Sequence, residues 1–325
     1  MPKVSVILPA HGDAPYLEQA VDSVLCQTLA NIELVVIDER ASQKTRDLLL
    51  KFEERDNRVK VVKSENTGLP GALNTAIRHT SSEFIARLDD DDLMSRTRLE
   101  TQIGVLIANP GIVCLGSQVE FFGEEMARTT SRLPKYDWQI RRESRVLNPM
   151  AHPSLMFRKS ALLEAGMYDE RYLLAQDYEL FSRLLPLGKF HNLDEPLTRY
   201  RIHKDQISSH RATERYPFEL SALVQNNLTS SPTRATAVVT DFLDSTDPTL
   251  LFHEVMHGET ISADVILEMR RSARALSSVA KFNAAVRALY LAPRVSSGIL
   301  VSKFFTLLKT LMLRKKFRDS SAAGS

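Results

Sequence analysis

Short apolar runs alternate with longer segments of helical periodicity over the first 100 residues of the chain. The apolar runs predict four buried β-strands, at residues 4–8, 32–37, 59–62 and 83–86, and the first should stop at Pro9. Between them, residues 14–29, 42–56 and 72–79 place apolar side chains three and four positions apart, which predicts amphipathic helices. Strands that alternate with helices imply an α/β fold, with a mostly parallel sheet covered by helices on both faces.

The alternation continues less regularly to about residue 211. Ser95 is expected to cap a helix that buries Leu99, Ile103, Leu106 and Ile107. Further strands are predicted at 112–122, 154–157 and 197–202, and further helices at 136–146, 159–165 and 176–185. Beyond residue 212 only helical patterns remain, at 262–291 and 297–318. We therefore predict an α/β domain over residues 1–211 and a helical C-terminal region over residues 212–325.

Acidic residues follow two of the predicted strands. Asp38 and Glu39 come after the second strand, and the run from Asp89 to Asp92 follows the fourth. Because crossovers in such sheets are right-handed, the strand ends collect at one edge, where α/β folds bind ligands. Four adjacent carboxylates repel one another, and a divalent cation that prefers oxygen would relieve the repulsion. Taken alone, the run also fits a solvated acidic turn that starts a helix.

Composition narrows the classes of function. The chain has 325 residues, 43% of them hydrophobic and 25% charged, and its formal net charge of +2 does not favour a nucleic-acid-binding protein. Two cysteines, Cys26 and Cys114, exclude a disulfide framework and a four-cysteine zinc site, so a reducing cytosol is the expected location. The N-terminal apolar run is too short for a signal peptide. No stretch reaches the roughly 18 apolar residues of a membrane-spanning helix, and no G-x-G-x-x-G indicates a dinucleotide.

Several ordered motifs over about residues 3–210 resemble those of a known enzyme family. They are VSVILP (4–9), VVIDE (35–39), NTG (66–68) with Asn74, ARLDDDD (86–92), HPS (152–154), QDYEL (176–180), YRIH (200–203) and QIS (206–208). Together they resemble the inverting, metal-dependent glycosyltransferases of family 2, whose GT-A fold is a Rossmann-like α/β fold. The last two segments are similar to those that close the domain in bacterial cell-surface polysaccharide enzymes.

The resemblance implies a role for each matched residue. Asp89 and Asp91 would form the D-x-D pair, with Asp89 toward the ribose and a metal-bound water, and Asp91 on the metal. Asp177 would be the general base. Asp38 and Glu39 would face the base of the nucleotide, where a carboxylate can accept from a uracil N–H. The remaining candidates for nucleotide-sugar binding are Pro9, His11, Asn66, Gly68, Asn74 and Arg87. Candidates for contact with the acceptor or the diphosphate are His152, Arg201 and His203.

These residue types suit transfer of a sugar from a nucleotide diphosphate, with UDP the favoured donor. Bound Mn²⁺ or Mg²⁺ would stabilise the charge of the leaving diphosphate, with water and phosphate oxygens completing its coordination. Asp177 would take the proton of the acceptor hydroxyl as that hydroxyl attacks from the opposite face of the sugar. The implied acceptor is a glycan or a lipid-linked glycan in polysaccharide, O-antigen or capsule assembly.

Three positions depart from the family pattern. Asp38 is followed by Glu-Arg-Ala where the family usually has Asp-Gly-Ser. This difference leaves the identity of the nucleobase in the donor open. His11 and the glycine after it stand where the family often has Tyr-Asn, and Gln176 precedes Asp177 where glutamate is usual. Because Asp177 itself is retained, we expect an active enzyme.

Other functions remain open at this point. A nucleotidyltransferase also pairs a sheet edge with acidic metal ligands, although the basic Gly-rich loop typical of that class is not found. A regulator that binds nucleotide sugars without turnover is the non-enzymatic alternative, and the retention of Asp91 and Asp177 speaks against it. The sequence HEVMH at 253–257 matches the H-E-x-x-H zinc protease motif, but a third ligand is not evident. Asp177 also fits a carboxylate that only stabilises a helix N-terminus.

The predicted helix at 297–318 carries apolar side chains at helical spacing together with a basic cluster at 314–318. A basic amphipathic helix is typical of proteins that bind anionic membrane surfaces. The protein is therefore expected to be cytoplasmic and peripheral on the inner face of the cell membrane. The alternative is that this helix packs on its own domain or on a partner subunit.

Overall fold

The structure is a computed structural model that describes residues 3–66, 68–123, 126–144 and 148–203. Several predictions from the sequence concern residues outside these ranges. They are the domain boundary at 211/212, the helices at 262–291 and 297–318, the HEVMH motif at 253–257 and the QIS segment at 206–208.

The described residues form nine β-strands. They are β1 (Val4–Gly12), β2 (Ile32–Ala41), β3 (Val59–Lys63), β4 (Phe84–Arg87), β5 (Leu93–Met94), β6 (Ile112–Gly123), β7 (Met126–Thr130), β8 (Met156–Arg158) and β9 (Lys189–Arg201). The α-helices are α1 (Leu17–Leu25), α2 (Gln43–Arg55), α3 (Leu69–His79), α4 (Arg98–Ala108), α5 (Asp137–Glu143), α6 (Lys159–Glu164) and α7 (Gln176–Leu184). A 3₁₀ turn covers His152–Ser154. No helix among the described residues has the length and apolarity needed to cross a membrane.

All nine strands belong to one sheet in the order β3-β2-β1-β4-β8-β6-β9-β5, and β7 pairs with β6. The first four strands of this order, β3-β2-β1-β4, are mutually parallel. Strand β8 is antiparallel to both β4 and β6, and β6 is parallel to β9. The predicted α/β fold with a mostly parallel sheet is therefore confirmed, and antiparallel pairs join its two halves.

Both faces of β1 are buried, which is why the strand reads as a continuous apolar run. Val4, Val6 and Leu8 lie in one apolar cluster with buried residues of α1, α2 and α4. On the other face, α3 packs against β1 and β2, and most of its side chains are buried. The sheet thus has helices on both sides, and the carboxyl ends of β1, β2 and β4 lie at the same edge.

The prediction that β1 stops at Pro9 is wrong, because the strand continues to Gly12. The Ile7 carbonyl accepts a hydrogen bond from Leu88 N–H on the β4 side. Pro9, two residues on, faces the same side at a point where β4 has already ended at Arg87. The missing N–H of proline therefore interrupts no ladder hydrogen bond, while pairing with β2 continues.

Two other predictions of detail are corrected. Ile107 is 61% exposed, whereas Leu99, Ile103 and Leu106 are buried. A helix turns by about 100° per residue, so Ile107 lies outside the narrow stripe that these three residues define. Strand β9 begins at Lys189, well before the predicted 197. Its pairing with β6 contains several register shifts, which interrupt the alternation that sequence patterns detect.

Candidate functional site

A group of three carboxylates lies in the turn after β4. Each of Asp89, Asp91 and Asp92 offers an oxygen, and these oxygens all lie within 4.8 Å of one another. The Asp92 N–H donates to the Asp89 carbonyl at 3.3 Å, which closes the turn and brings the fourth acid back beside the first. Sequence reasoning singled out Asp89 and Asp91 as the pair, and the structure adds Asp92.

Asp92 is fully buried, and one of its two carboxylate oxygens has no hydrogen-bond donor among the described residues. The other oxygen accepts from the backbone N–H of Arg201 at 2.7 Å. Burial raises the pKa of Asp92 well above its ordinary value, and the charges of Asp89 and Asp91 raise it further. An orphaned buried oxygen beside two other carboxylates fits a hard divalent cation such as Mn²⁺ or Mg²⁺, which prefers oxygen ligands.

Arg87, the last residue of β4, is almost completely buried and donates from both terminal nitrogens to the Asp89 carboxylate. Desolvation raises the pKa of Asp89 to about 6. The positive charge of Arg87 opposes this increase, whereas the negative charges of Asp91 and Asp177 add to the increase. Asp90 is placed differently, since it accepts from the His11 N–H at 3.3 Å. Burial and the charge of Asp91 raise the pKa of Asp90 to about 7.

The end of β9 lies against the same turn. His203 Nε2 is 2.9 Å from Asp91 Oδ2, and Arg201 Nε donates to the Asp91 carbonyl at 2.8 Å. The sequence assigned both residues to the acceptor or the diphosphate, and the structure brings both to the acidic turn.

Residues from β1, β2 and the start of α3 meet at the same edge of the sheet. Glu39 is 6% exposed, accepts from Gly68 N–H at 2.9 Å and contacts His11 Nδ1. Gly68 has a φ of 85° at the N-terminus of α3, a conformation that glycine adopts without a steric penalty. Pro9 is buried in β1, two residues before His11. The predicted set of Pro9, His11, Glu39 and Gly68 thus lies along one edge.

Asp38 is held by local contacts at the end of β2. One carboxylate oxygen accepts from Ala41 N–H and the other from Arg46 Nε, both at 2.8 Å. Arg46 lies in the first turn of α2, so Asp38 joins the end of the strand to the start of the helix. These two contacts fix the orientation of the Asp38 carboxylate.

Asn66 and Asn74 both donate to Glu170, a residue that sequence reasoning missed. Asn66 Nδ2 lies 2.9 and 3.1 Å from the two Glu170 oxygens, and Asn74 Nδ2 lies 3.1 Å from one of them. Asn74 is 4% exposed and also exchanges two hydrogen bonds with the backbone of Tyr168. These two asparagines therefore fasten the loop that precedes α7 to α3.

Asp177 lies in the first turn of α7, and Ala175, the N-cap residue of that helix, has a φ of 57°. Its carboxylate accepts a hydrogen bond of 2.6 Å from the side-chain amide of Asn148. His152 is buried and pairs with the Tyr168 hydroxyl at 2.7 Å. Burial, and then the Arg87 charge, lower the pKa of His152 well below 6.5, so it is a neutral core residue. Asn148 has no sequence signal that links it to Asp177.

Comparison with known proteins adds to this geometry. The family model described as "Glycosyl transferase family 2" matches residues 5–165. The "O-antigen biosynthesis glycosyltransferase WbnJ" of Escherichia coli is 32% identical over 210 residues, which cover 62% of this chain and 80% of WbnJ.

Solved structures share the fold at lower identity. S. aureus TarS 1-349 in complex with UDP-GlcNAc superposes with a TM-score of 0.57 and 17% identity, over 74% of this chain and 71% of that chain. The mannosyltransferase PcManGT from Pyrobaculum calidifontis, in complex with GDP-Man and Mn²⁺, superposes with a TM-score of 0.53 and 18% identity, over 93% of this chain and 86% of that chain. At these identities the likeness concerns the fold alone.

Proposed function

The chain belongs to glycosyltransferase family 2, and we propose that it transfers a sugar from UDP to an acceptor hydroxyl with inversion, using Mn²⁺ or Mg²⁺. The observation that carries the proposal is the acidic turn, in which Asp89, Asp91 and Asp92 gather around one point within reach of the Asp177 charge. A glycosyltransferase of the proposed kind needs a metal-diphosphate site and a base beside each other, and the acidic turn and Asp177 are our candidates for the two.

Asp91 and Asp92 would hold the divalent cation, and Asp89 would hold the ribose and a metal-bound water. The cation supplies positive charge that stabilises the departing diphosphate. Arg87 keeps the Asp89 carboxylate in one orientation through two parallel hydrogen bonds, and bidentate pairs of this kind fix geometry as well as energy. The PcManGT complex, which contains Mn²⁺ and GDP-Man, supports a metal in a protein of this fold.

The base of the nucleotide would lie between the ends of β1 and β2, bordered by His11, Asp38 and Glu39. The contacts of Glu39 with Gly68 N–H and His11 would fix the positions of these residues before the donor binds. UDP as donor is supported by the family resemblance and by the UDP-GlcNAc complex of TarS. Glu39 stands where the family usually has a second aspartate. Selectivity for the nucleobase would therefore differ from that of other family members at this residue.

Asp177 would accept the proton of the acceptor hydroxyl. Its carboxylate is oriented from two sides, by the first turn of α7 and by the Asn148 amide. Its charge also reaches Asp89, where it raises the pKa of that carboxyl. A base on α7 whose charge reaches the acidic turn would suit in-line attack on the anomeric carbon, which inverts its configuration.

A glycan or lipid-linked glycan in polysaccharide, O-antigen or capsule assembly is the proposed acceptor, and the O-antigen role printed for WbnJ supports it. We further propose a peripheral position on the inner face of the cell membrane, supported by the sequence of residues 297–318. Flotation of the full chain and of a chain truncated before Ser297 with anionic vesicles tests this position. Equal binding by the two would contradict it.

The function itself is tested with a panel of UDP-, GDP-, ADP- and dTDP-linked sugars, by following release of the nucleoside diphosphate. We expect release from a UDP-sugar that requires Mn²⁺ or Mg²⁺, stops with EDTA and yields the opposite anomeric configuration by NMR. Pyrophosphate release would instead identify a nucleotidyltransferase. Donor binding with no turnover in the presence of any glycan acceptor would favour a non-catalytic binding protein.

A further inference from the structure

Arg201, the last residue of β9, contacts the acidic turn through both its backbone and its side chain. Its backbone N–H donates to Asp92 Oδ1 at 2.7 Å, and its Nε donates to the Asp91 carbonyl at 2.8 Å. A third hydrogen bond, of 2.9 Å, runs from a terminal nitrogen to Gln19 Oε1 in α1. One residue thus joins two members of the carboxylate group to a helix on the face of the sheet.

The Arg201 guanidinium also lies close to two aromatic rings. Its central carbon is 4.0 Å from the Tyr16 ring centroid and 4.5 Å from the Phe122 ring centroid. A guanidinium over the face of an aromatic ring is attracted by the negative charge density of that face. The rings restrict the side chain to one plane, so the hydrogen bonds to Asp91 and Gln19 have fixed directions.

The contacts of Arg201 oppose a repulsion within the acidic turn. Asp89, Asp91 and Asp92 repel one another, and one buried oxygen of Asp92 has no donor among the described residues. A turn held only by its own backbone would relax by moving the carboxylates apart. Hydrogen bonds from Arg201 to the Asp91 carbonyl and the Asp92 carboxylate oppose that movement.

We propose that Arg201 is a positioning residue that sets the affinity of the acidic turn for its divalent cation; the inference rests on the proposed function. Arg201 holds Asp91 and Asp92 so that their free oxygens face the point shared with Asp89. In this role its guanidinium orients the acidic turn, which is an alternative to the predicted contact with the donor diphosphate. Groups that orient metal ligands in this way typically change metal affinity by about 10- to 100-fold when they are removed.

Arg199 provides a matched control two residues earlier on the same strand. Its guanidinium carbon lies 4.4 Å from the same Phe122 ring, but its Nε donates to Glu120 at 3.1 Å. Arg199→Met therefore removes a positive charge and a cation–π contact from β9 and breaks none of the hydrogen bonds between Arg201 and the acidic turn. Arg201→Met removes the side-chain bonds to Asp91 and Gln19 as well.

The test is Mn²⁺ binding to the full chain, measured from the electron paramagnetic resonance signal of free Mn²⁺, with and without UDP. We expect Arg201→Met to raise the Kd for Mn²⁺ by about 10- to 100-fold and Arg199→Met to change it by less than about twofold. Arg201→Lys keeps the charge but loses the planar guanidinium, so it should lie between them. Saturating Mn²⁺ should restore most of the turnover of Arg201→Met.

Circular dichroism melts check that each variant is folded. If Arg201→Met does not fold, Arg201→Lys replaces it in the comparison. Wild-type affinity in Arg201→Met, or in Arg201→Lys if only that variant folds, would overturn the inference. Equal loss in the Arg199 and Arg201 variants would also overturn it, because it would assign the effect to the packing of β9. If the wild-type chain binds no Mn²⁺ at all, the proposed metal site itself is wrong. That outcome differs from equal Mn²⁺ binding by the wild type and the Arg201 variant, which overturns only the role of Arg201.

Discussion

Asn148 donates its side-chain amide to Asp177, with 2.6 Å between Asn148 Nδ2 and Asp177 Oδ2. The amide oxygen of Asn148 in turn accepts from Met150 N–H at 3.1 Å, which fixes the plane of the amide. The proposed base is therefore held by the loop that precedes the 3₁₀ turn at His152–Ser154. Its position depends on two segments that are distant in sequence.

Replacing Asp177 with asparagine keeps the shape of the side chain and removes the proton acceptor. We expect kcat to fall by roughly 10²–10⁴-fold, while UDP binding measured by calorimetry stays within about threefold. Steady-state release of UDP from the donor identified in the screen gives kcat. A variant with nearly full kcat would mean that another group takes the proton.

Replacing Asn148 with leucine removes the amide that orients Asp177. The expected result is a kcat lower by about 10- to 100-fold at an unchanged KM for the donor, because a misplaced base slows the chemical step without weakening donor binding. Asn109→Leu is the matched control, since among the described residues the Asn109 side-chain amide donates only to the Val105 carbonyl, in the last turn of α4. Equal kcat values for the two variants would contradict the orienting role of Asn148.

Arg98 is fully buried and donates to the carbonyls of Pro153, Arg87 and Leu155 and to the Gln102 side chain. Arg98→Met would remove these four buried hydrogen bonds, and of the four acceptors the Leu155 carbonyl would still accept from Arg87 N–H, so we expect a loss of about 3 kcal/mol or more in the free energy of unfolding. The exposed Arg96 is the control, and Arg96→Met should change that free energy by less than about 0.5 kcal/mol. Urea unfolding followed by circular dichroism measures both. Similar urea midpoints for the two variants would show that the hydrogen bonds of Arg98 do not stabilise the folded chain.

His152 makes stability depend on pH. Burial and the Arg87 charge lower its pKa in the folded state well below the ordinary value of 6.5. Below pH 6.5 the unfolded chain therefore binds a proton that the folded chain does not, and stability is lost as pH falls, by up to about 1.4 kcal/mol per pH unit.

The contribution of His152 appears as a difference between the wild type and His152→Gln. We expect the free energy of unfolding to fall less steeply between pH 6.5 and 5 in His152→Gln, although that variant should be less stable at pH 7.5. Parallel curves over this interval would show that His152 does not cause the loss.

Local pattern was sufficient to predict the elements that build the sheet edge. The apolar runs of β1, β2 and β4 are buried on both faces, so they stand out in the sequence, and the acids that follow them are easily placed at the strand ends. Asp92 was not among the predicted metal ligands, because the family resemblance assigns only the D-x-D pair, Asp89 and Asp91. The acids lie in a turn, where the hydrogen bond from Asp92 N–H to the Asp89 carbonyl returns the chain on itself.

The remaining site contacts join segments that are far apart in sequence. Asn148 is 29 residues from Asp177, and Arg201 is 109 residues from Asp92. Tertiary packing determines such pairs, and no local periodicity encodes them. Residues 189–196 of β9, which contain register shifts against β6, were not predicted for a related reason, because their register is set by the partner strand β6.

The central claim is that the acidic turn holds a divalent cation together with the donor diphosphate. Its most direct test is calorimetric binding of UDP in the presence of Mn²⁺ to Asp91→Asn and to Asp90→Asn. Asp91 belongs to the carboxylate group, whereas Asp90 accepts from His11 N–H. We predict that Asp91→Asn weakens Mn²⁺-dependent UDP binding by more than about 100-fold, and that Asp90→Asn weakens it by less than about fivefold. Wild-type binding by Asp91→Asn, or equal losses in both variants, would contradict the account.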